Sequence, residues 1–378
     1  MGIQLFCATY DVEACLDQIR QCLEIGWTGM GFKTTEFEEE WKKYTGLNNA
    51  YFTNSATAAL NLAVSTLKEK HGWEDDDEII TTPLTFVSTN HAILLAGMIP
   101  IFADVDESFC LNPVDVEAKI GPRTKAVMFV GLGGNAGKYL EIVELCKKRG
   151  LKLILDSAHM AGTRLNGIIP GREADAVIYS FQAVKNLPTG DAGMLCMADD
   201  ICDNIVRKKG WLGINKDTYA RTTENVAGYK WRYDVEYLGE KYNGNSIMAA
   251  IALAQLPHLD EDNNYRRELV EEYKKGLADV VDYIKYPKFY DNCCPSWHLF
   301  QILVEDRDGL LEYLNSKDIH PGVHYVPNTD YSMYRNAKGT CAHAEYIGEH
   351  VLSLPLHMRV TKEDVQYITS CIKEYLLH

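Results

Sequence analysis

The 378-residue sequence lacks the features of several large classes of protein. No run approaches the ~18 consecutive apolar residues of a membrane-spanning helix, so we expect no membrane association. Positive charge is scarce, because 38 Lys and Arg stand against 53 Asp and Glu, and the formal net charge of −15 disfavours nonspecific binding to nucleic acid. No basic residue precedes Arg20. We therefore expect no signal or transit peptide and a cytoplasmic location.

Patterns for disulfides and metal ions are also missing. The eleven cysteines include no C-x-x-C pair, which, in a sequence with no export signal, favours reduced thiols. His320 and His324 lie four residues apart, but Pro321 and Gly322 between them break the helix that would bring both to one metal ion. We expect no metal site.

Apolar runs typical of buried strands alternate with helical stretches in the first half of the chain. The predicted strands are 79–82, 99–104, 125–130, 151–156, 174–181 and 193–197, and 138–149 is a predicted helix. This alternation predicts an α/β domain with a largely parallel sheet, at whose strand ends a ligand binds.

The pattern changes after residue 211. Residues 211–245 are irregular and rich in aromatics, which indicates a functional segment or a contact with a partner subunit. Helical stretches at 246–256, 266–277, 307–315 and 362–376 then accompany a strand at 296–304. We predict a large α/β domain over 1–245 and a smaller α+β domain over 246–378.

Lys185 lies in a position suited to covalent chemistry. It follows the apolar run 175–181 and precedes Gly190 and Gly193. At a strand end that faces a pocket, partial desolvation converts an ammonium group into the amine that forms a Schiff base. An ordinary surface lysine is the alternative, so the hypothesis depends on three other segments.

The first segment, 53–60, passes from a short strand-like run, 49–53, through small hydroxylated residues into a helical pattern. The free N–H groups and the positive dipole end of such a helix bind phosphate, and Ser and Thr hydroxyls add donors. An ordinary helix N-cap is the alternative.

The second segment, 151–159, is an apolar strand that ends in Asp156. A carboxylate at the end of a buried strand costs free energy unless a cationic group meets it. A protonated pyridine nitrogen would do so, and Asp156 would keep that ring an electron sink. A structural Asp bonded to backbone amides is the alternative.

The third segment, 81–89, places Phe86 among small residues after a predicted strand. Such a ring can stack on a flat heteroaromatic group. A core phenylalanine is the alternative.

A competing pattern lies at Gly131 to Ala136, which fits G-x-G-x-x-A. It follows strand 125–130 and precedes a helix, and Asp156 ends the next strand, as in a dinucleotide-binding unit. A nicotinamide- or flavin-dependent oxidoreductase is therefore the local alternative. It leaves Lys185 and the predicted phosphate-binding helix unexplained.

The order of the segments is more specific than any one of them. Along the chain come first a predicted phosphate-binding helix and then an aromatic residue that can stack. They are followed by an Asp with a His three residues later, and by a Ser five residues before a Lys. This order resembles the DegT/DnrJ/StrS-type family of pyridoxal-phosphate-dependent sugar aminotransferases. The resemblance extends from 26–29 and 36–38 to 249–256 and 351–357. It implies a fold-type-I transferase, similar to aspartate aminotransferase, that forms a homodimer.

The resemblance also implies roles for individual residues. Lys185 would bind the pyridoxal phosphate covalently, and Asp156 would hold the ring nitrogen. The other implied contacts are Ala56, Thr57 and Ser180 to the phosphate, Phe86 to the ring face, His159 near the ring hydroxyl, Asn245 to the phosphate in the neighbouring subunit, and His324 and Tyr325 near the substrate.

The implied reaction moves an amino group from an amino acid, glutamate by family habit, to a keto group of a nucleotide-linked sugar. Such reactions make aminosugars for surface polysaccharides or natural products. Relatives that aminate small non-nucleotide ketones keep that alternative open. Relatives that dehydrate the sugar carry histidine in place of the lysine, so Lys185 argues against that activity.

Overall fold

The computed structural model describes residues 2–215 and 233–378, and its centre is a seven-stranded sheet. The strands in chain order are Tyr51–Thr53 (β1), Glu78–Thr81 (β2), Ile99–Phe102 (β3), Thr124–Val130 (β4), Lys152–Asp156 (β5), Arg164–Leu165 (β6), Ala176–Ser180 (β7), Gly193–Met197 (β8), Cys293–Cys294 (β9), Phe300–Leu303 (β10) and Val351–Leu354 (β11).

The sheet has the order β1-β8-β7-β5-β4-β2-β3. Neighbours from β7 to β3 run parallel, and β8 is antiparallel to both β1 and β7. The prediction of an α/β fold with a largely parallel sheet is confirmed. Because the strands are parallel, the carboxyl ends of β4, β5 and β7 meet at one edge.

Helices cover the sheet and build the rest of the chain. Those described are Val12–Ile25 (α1), Phe32–Thr45 (α2), Ala56–His71 (α3), Ser88–Leu95 (α4), Pro113–Ala118 (α5), Tyr139–Arg149 (α6), Asp200–Lys209 (α7), Ser246–Gln255 (α8), Leu259–Gly276 (α9), Arg307–Ser316 (α10), Ala342–His350 (α11) and Lys362–Leu376 (α12). Local chemistry sets their ends. For example, Ser55 caps α3, and Gly72 ends it in a left-handed conformation.

The apolar strand runs reflect burial of the sheet on both faces. In β4, Val127 and Phe129 pack into one core while Ala126 and Met128 pack into another on the opposite face. Alternate residues of a strand point to opposite faces, so a strand covered on both sides is apolar throughout.

A separate core lies in the C-terminal part, around the antiparallel pair β10 and β11 and helices α9, α10 and α12. Ile3 pairs with Ile319 and packs against this core. By contrast, Ala249 and Ala252 of α8 belong to a core of the central sheet. The domain boundary between residues 245 and 246 stays a prediction.

The irregular segment 211–245 is described at its two ends. Trp211 pairs with Lys241 and Ile214 with Val235, and Lys241 Nζ lies 3.5 Å from the Trp211 ring centroid. Three aromatic residues of this predicted functional segment, Tyr219, Tyr229 and Trp231, lie outside the described residues.

Two general features complete the fold. In the described ranges, no helix combines the length and apolar character needed to cross a membrane. The eleven cysteines are free thiols.

Candidate active site

A cavity of about 440 Å³ lies where β4, β5 and β7 end. Val130, Asp156 and Ser180, the last residues of these strands, line it together with the first turn of α3. The residues predicted from the sequence line this cavity, with the exception of Asn245: Ala56, Thr57, Phe86, Asp156, His159, Ser180, Lys185, His324 and Tyr325.

Lys185 reaches the cavity from a turn that follows β7. Its backbone N–H donates to the Gln182 carbonyl at 2.8 Å, and Ala183 N–H donates to Gly190 at 3.0 Å, which closes the turn. Burial lowers the pKa of the half-buried ammonium group from 10.5 to about 8, and the Asp156 charge opposes that shift. An appreciable fraction of Lys185 is therefore unprotonated near neutral pH.

Asp156 ends β5 with a side chain that is 3% exposed. Its Oδ2 accepts a hydrogen bond of 2.8 Å from Thr89 Oγ1, and its Oδ1 accepts one of 3.1 Å from Ala158 N–H. Burial raises the pKa of the carboxyl, while those hydrogen bonds and the charge of Lys185 lower it. A cationic group bound in the cavity would stabilise the ionised form further.

His159 has a defined tautomer. Its Nδ1 accepts a hydrogen bond of 3.2 Å from the backbone N–H of Gly133, so a neutral ring carries its proton on Nε2. Nε2 lies 3.2 Å from Tyr325 Oη and donates to it. Burial, followed by the charges of Lys185 and His324, holds the pKa of His159 well below 6.5. The ring is therefore neutral and orients the Tyr325 hydroxyl.

His298 lies beside His159, and no local pattern in the sequence indicates it. The two ring centroids are 4.3 Å apart. Asn186 donates its amide hydrogens to Asn263 Oδ1 and Ser296 O, so its Oδ1 accepts from His298 Nδ1 at 2.9 Å. The pKa of His298 lies well below 6.5, and burial is the largest cause of this shift.

The first turn of α3 forms a cradle of donors. Ser55 Oγ accepts from Ala58 N–H at 3.1 Å, and Ala56 and Thr57 line the cavity beside Ser180. A side chain at Gly193 would fill the space there, because its Cβ would lie 2.6 Å from Ala56 N. The N–H groups of a helix N-terminus bind phosphate, so glycine at 193 keeps the cradle close to β8.

The remaining predicted residues have different surroundings. Phe86 is 58% exposed at the cavity wall, with its ring 6.1 Å from that of Tyr325, so it is not a core residue. His324 Nδ1 lies 3.1 Å from Ser353 Oγ, and burial lowers the pKa of His324 to about 4. Asn245 lies outside the cavity lining and caps α8 by accepting from Met248 N–H at 3.0 Å.

The competing G-x-G-x-x-A pattern does not form a dinucleotide site. Its residues form a buried 3₁₀ turn, Leu132–Gly134, and α6 begins only at Tyr139. A Cβ at Gly131 would lie 1.9 Å from Met160 Sδ, so the space that a pyrophosphate needs is filled. The turn packs inward, and Gly133 N–H bonds to His159, so the structure disfavours the local alternative, as the sequence analysis does.

A model of the DegT/DnrJ/EryC1/StrS aminotransferase family matches residues 10–373. The chain belongs to this family. The spore coat polysaccharide biosynthesis protein SpsC of Bacillus subtilis is 33% identical to it, across 95% of this chain and 93% of SpsC. The dTDP-4-dehydro-2,3,6-trideoxy-D-glucose 4-aminotransferase of Saccharopolyspora spinosa is 31% identical, across 96% of this chain and 94% of that enzyme.

The fold agrees with that assignment. The crystal structure of the aminotransferase TlmJ from Streptoalloteichus hindustanus matches with a TM-score of 0.91 and 30% identity, over 100% of this chain and 99% of TlmJ. The protein is therefore an aminotransferase with the fold-type-I architecture, and the prediction of an enzyme of this class is confirmed.

Pyridoxal phosphate is the cofactor of this aminotransferase family, and the residues of the cavity fit it. The cradle at Ala56 and Thr57 can bind its phosphate, and Asp156 can pair with a protonated ring nitrogen. Lys185 can bond to its carbonyl carbon. In the part of the chain that the structure describes, no group of three or more His, Cys, Asp or Glu is placed to hold a metal ion.

Proposed function

We propose that this aminotransferase moves an amino group from glutamate to the keto carbon of a nucleotide-linked sugar, as a cytoplasmic homodimer, for aminosugar biosynthesis. The observation that carries the proposal is the placement of Lys185 and the buried Asp156 in one cavity beside the α3 cradle. The relatives support a sugar substrate, because one is named for spore coat polysaccharide biosynthesis and another for a dTDP-linked keto sugar.

Lys185 holds and moves the proton of the reaction. When bound, pyridoxal phosphate supplies a ring that takes up the electron pair left on a carbon that loses a proton. With a pKa of about 8, the amine of Lys185 is a base strong enough to accept that proton, and its ammonium form is an acid strong enough to return it near neutral pH.

Asp156 and Tyr325 complete the proposed constellation. Hydrogen bonds from Thr89 and Ala158 fix both carboxylate oxygens of Asp156, which would keep the ring nitrogen of the bound cofactor protonated. Tyr325 accepts from His159 Nε2, so its own hydroxyl proton remains for donation to an oxygen in the cavity.

Two features support the homodimer. Val235 and Leu238, in the segment before Asn245, are 58% and 96% exposed, which suits a surface covered by a second copy. Asn245 itself lies outside the cavity of its own chain, as expected for a residue that reaches the phosphate in the partner's site.

A substrate panel tests the proposal. The purified enzyme is given glutamate and either dTDP- or UDP-linked 4-keto sugars, the same sugars without nucleotide, or small ketones such as pyruvate. We expect 2-oxoglutarate and an aminated nucleotide sugar, identified by mass spectrometry, and no product with Lys185→Ala. Turnover of the small ketones alone would overturn the nucleotide-sugar assignment and favour the small-ketone alternative.

A further inference from the structure

A second cavity, of about 300 Å³, adjoins the one that contains Lys185. The two share Thr85, Phe86 and Tyr325. We call the second one the aromatic cleft, lined mainly by Phe86, His91, Tyr325, Tyr331, Met333 and Tyr334. Among residues 2–215 and 233–378, none of those that line it is an Asp, Glu, Lys or Arg.

Large apolar side chains are exposed in the aromatic cleft. Phe86, Tyr331 and Met333 are 58%, 43% and 62% exposed, although they lie on one concave surface. Tyr334 is buried behind them, with its ring 6.0 Å from that of His91 and nearly parallel to it. Clustered exposure of this kind marks a surface that binds a ligand or a partner.

Buried hydrogen bonds hold the two sides of the aromatic cleft together. Asn328 Nδ2 donates to Thr85 O at 2.8 Å, and Asn328 Oδ1 accepts from Asn90 at 2.8 Å. Tyr331 N–H donates to Asn328 O at 3.0 Å. The segment that carries Tyr331 is thus tied to the segment that carries Phe86, and the cleft is formed before any ligand enters.

We infer that the aromatic cleft binds the heteroaromatic base of the nucleotide-linked substrate. This inference rests on the proposed function. Because the cavities meet at Phe86 and Tyr325, one substrate can place its reacting carbon at Lys185 and a flat group in the cleft. Nucleobases stack on aromatic side chains, whereas phosphates bind best to Lys and Arg, and neither is present in the described lining of the cleft. Its volume lies at the lower limit of the roughly 300–1,000 Å³ typical of small-ligand pockets.

The test compares binding of dTDP with binding of 2-deoxyribose 5-diphosphate, which lacks the base, by calorimetry on the holoenzyme. Tyr331 and Met333 do not line the cavity of Lys185, so Tyr331→Ala and Met333→Ala are suitable variants. We expect Tyr331→Ala to weaken dTDP binding by about 10-fold or more while the affinity for the abasic diphosphate stays constant. Tyr331→Phe, which keeps the ring, should bind dTDP nearly as well as the native enzyme.

Tyr283→Ala is the matched control, because Tyr283 is 53% exposed and lies away from both cavities. It should leave both affinities unchanged. Circular dichroism and the glutamate half-reaction verify that each variant is folded and binds cofactor. If Tyr331→Ala does not fold, Met333→Ala decides the question by the same comparison.

Several outcomes overturn the inference. Equal weakening of both diphosphates would place the phosphates, not the base, near Tyr331, and unchanged dTDP binding would remove the base from the cleft. A change of oligomeric state in Tyr331→Ala would make the cleft a subunit contact. The ratio of kcat/KM for the nucleotide sugar to that for the bare sugar separates the two hypotheses. A native enzyme without preference for the nucleotide sugar contradicts the proposed function, whereas a preference that Tyr331→Ala retains contradicts only the cleft assignment.

Discussion

Thr89 Oγ1 donates a hydrogen bond of 2.8 Å to Oδ2 of Asp156. The Thr89 hydroxyl also lies 3.0 Å from Thr85 Oγ1, which therefore donates to it, because Thr89 uses its single proton on the carboxylate. A chain of two hydroxyls thus ends at the buried carboxylate that we assign to the ring nitrogen.

Thr89→Val tests whether this chain positions Asp156. The substitution keeps the shape and removes the hydroxyl, so one oxygen of a buried carboxylate loses its donor, at a cost of about 1.5–3 kcal/mol. We expect cofactor affinity to fall by about 10-fold or more and kcat to fall with it. Thr89→Ser should restore both quantities, measured by absorbance titration and steady-state assay. Native behaviour of Thr89→Val would show that the Ala158 N–H alone suffices.

Asp156→Asn tests the charge itself. The amide retains hydrogen-bonding capacity but cannot keep a ring nitrogen protonated, so we expect the cofactor to remain bound while kcat falls by at least ~10²-fold. The control is Asp175→Asn, which changes a carboxylate whose ion pair with Lys152 lies away from the cavity. Near-normal turnover of a folded Asp156→Asn enzyme would make this carboxylate structural.

The pH dependence of Lys185 reactivity follows from its lowered pKa. The reactive amine form of this residue accumulates as the pH rises through about 8. This pH is two to three units below the one at which an ordinary lysine loses its proton. Reductive methylation of apoenzyme by formaldehyde, followed by peptide mass spectrometry, should show half-maximal modification of Lys185 near pH 8. Because the Asp156 charge raises this pKa, Asp156→Asn should move the midpoint lower. A midpoint near 10.5 would contradict the effect of burial.

Gly193→Ala should disturb the phosphate cradle. The added Cβ would lie 2.6 Å from Ala56 N, a backbone atom that cannot move without shifting α3, and such overpacking costs about 1–3 kcal/mol. We expect a lower melting temperature and weaker cofactor binding. Gly29→Ala is the control, because no atom of the described residues lies within 4 Å of its Cβ position. If the two substitutions lowered the melting temperature and cofactor affinity equally, the cause would be a general loss of stability and not a disturbed cradle.

Asn245 allows a test of shared active sites that separates assembly from helix capping. Asn245→Ser keeps an oxygen that can cap α8 but has a shorter reach, so activity should fall more than stability does. Mixed dimers with Lys185→Ala, isolated by different tags after co-expression, should regain activity because one site contains neither lesion. Mixed dimers no more active than their parents, with Asn245→Ser itself impaired, would place both residues in one site.

Local patterns in the sequence were sufficient for most of the secondary structure. The predicted strand 193–197 and helix 362–376 coincide with β8 and α12, because alternating or helical apolar spacing and nearby caps act within one element. The helix predicted over 266–277 begins earlier, at Leu259, where Asp260 and Asp262 stabilise its first turn. The order of the motifs along the chain was also sufficient to indicate the family.

Only the tertiary structure decided which side chains meet at the site. Thr89 is far from Asp156 in sequence, and His159 is far from His298 and Tyr325. Tertiary packing brings each set together. The inward packing of Gly131 to Gly134 likewise depends on Met160 and His159, which no local spacing reveals. The pKa of Lys185 changes because the folded chain removes water from around it. Burial and long-range contact are properties of the packed molecule, so the sequence indicated most of the site residues, whereas the fold added Thr89 and His298 and determined the chemistry of the site.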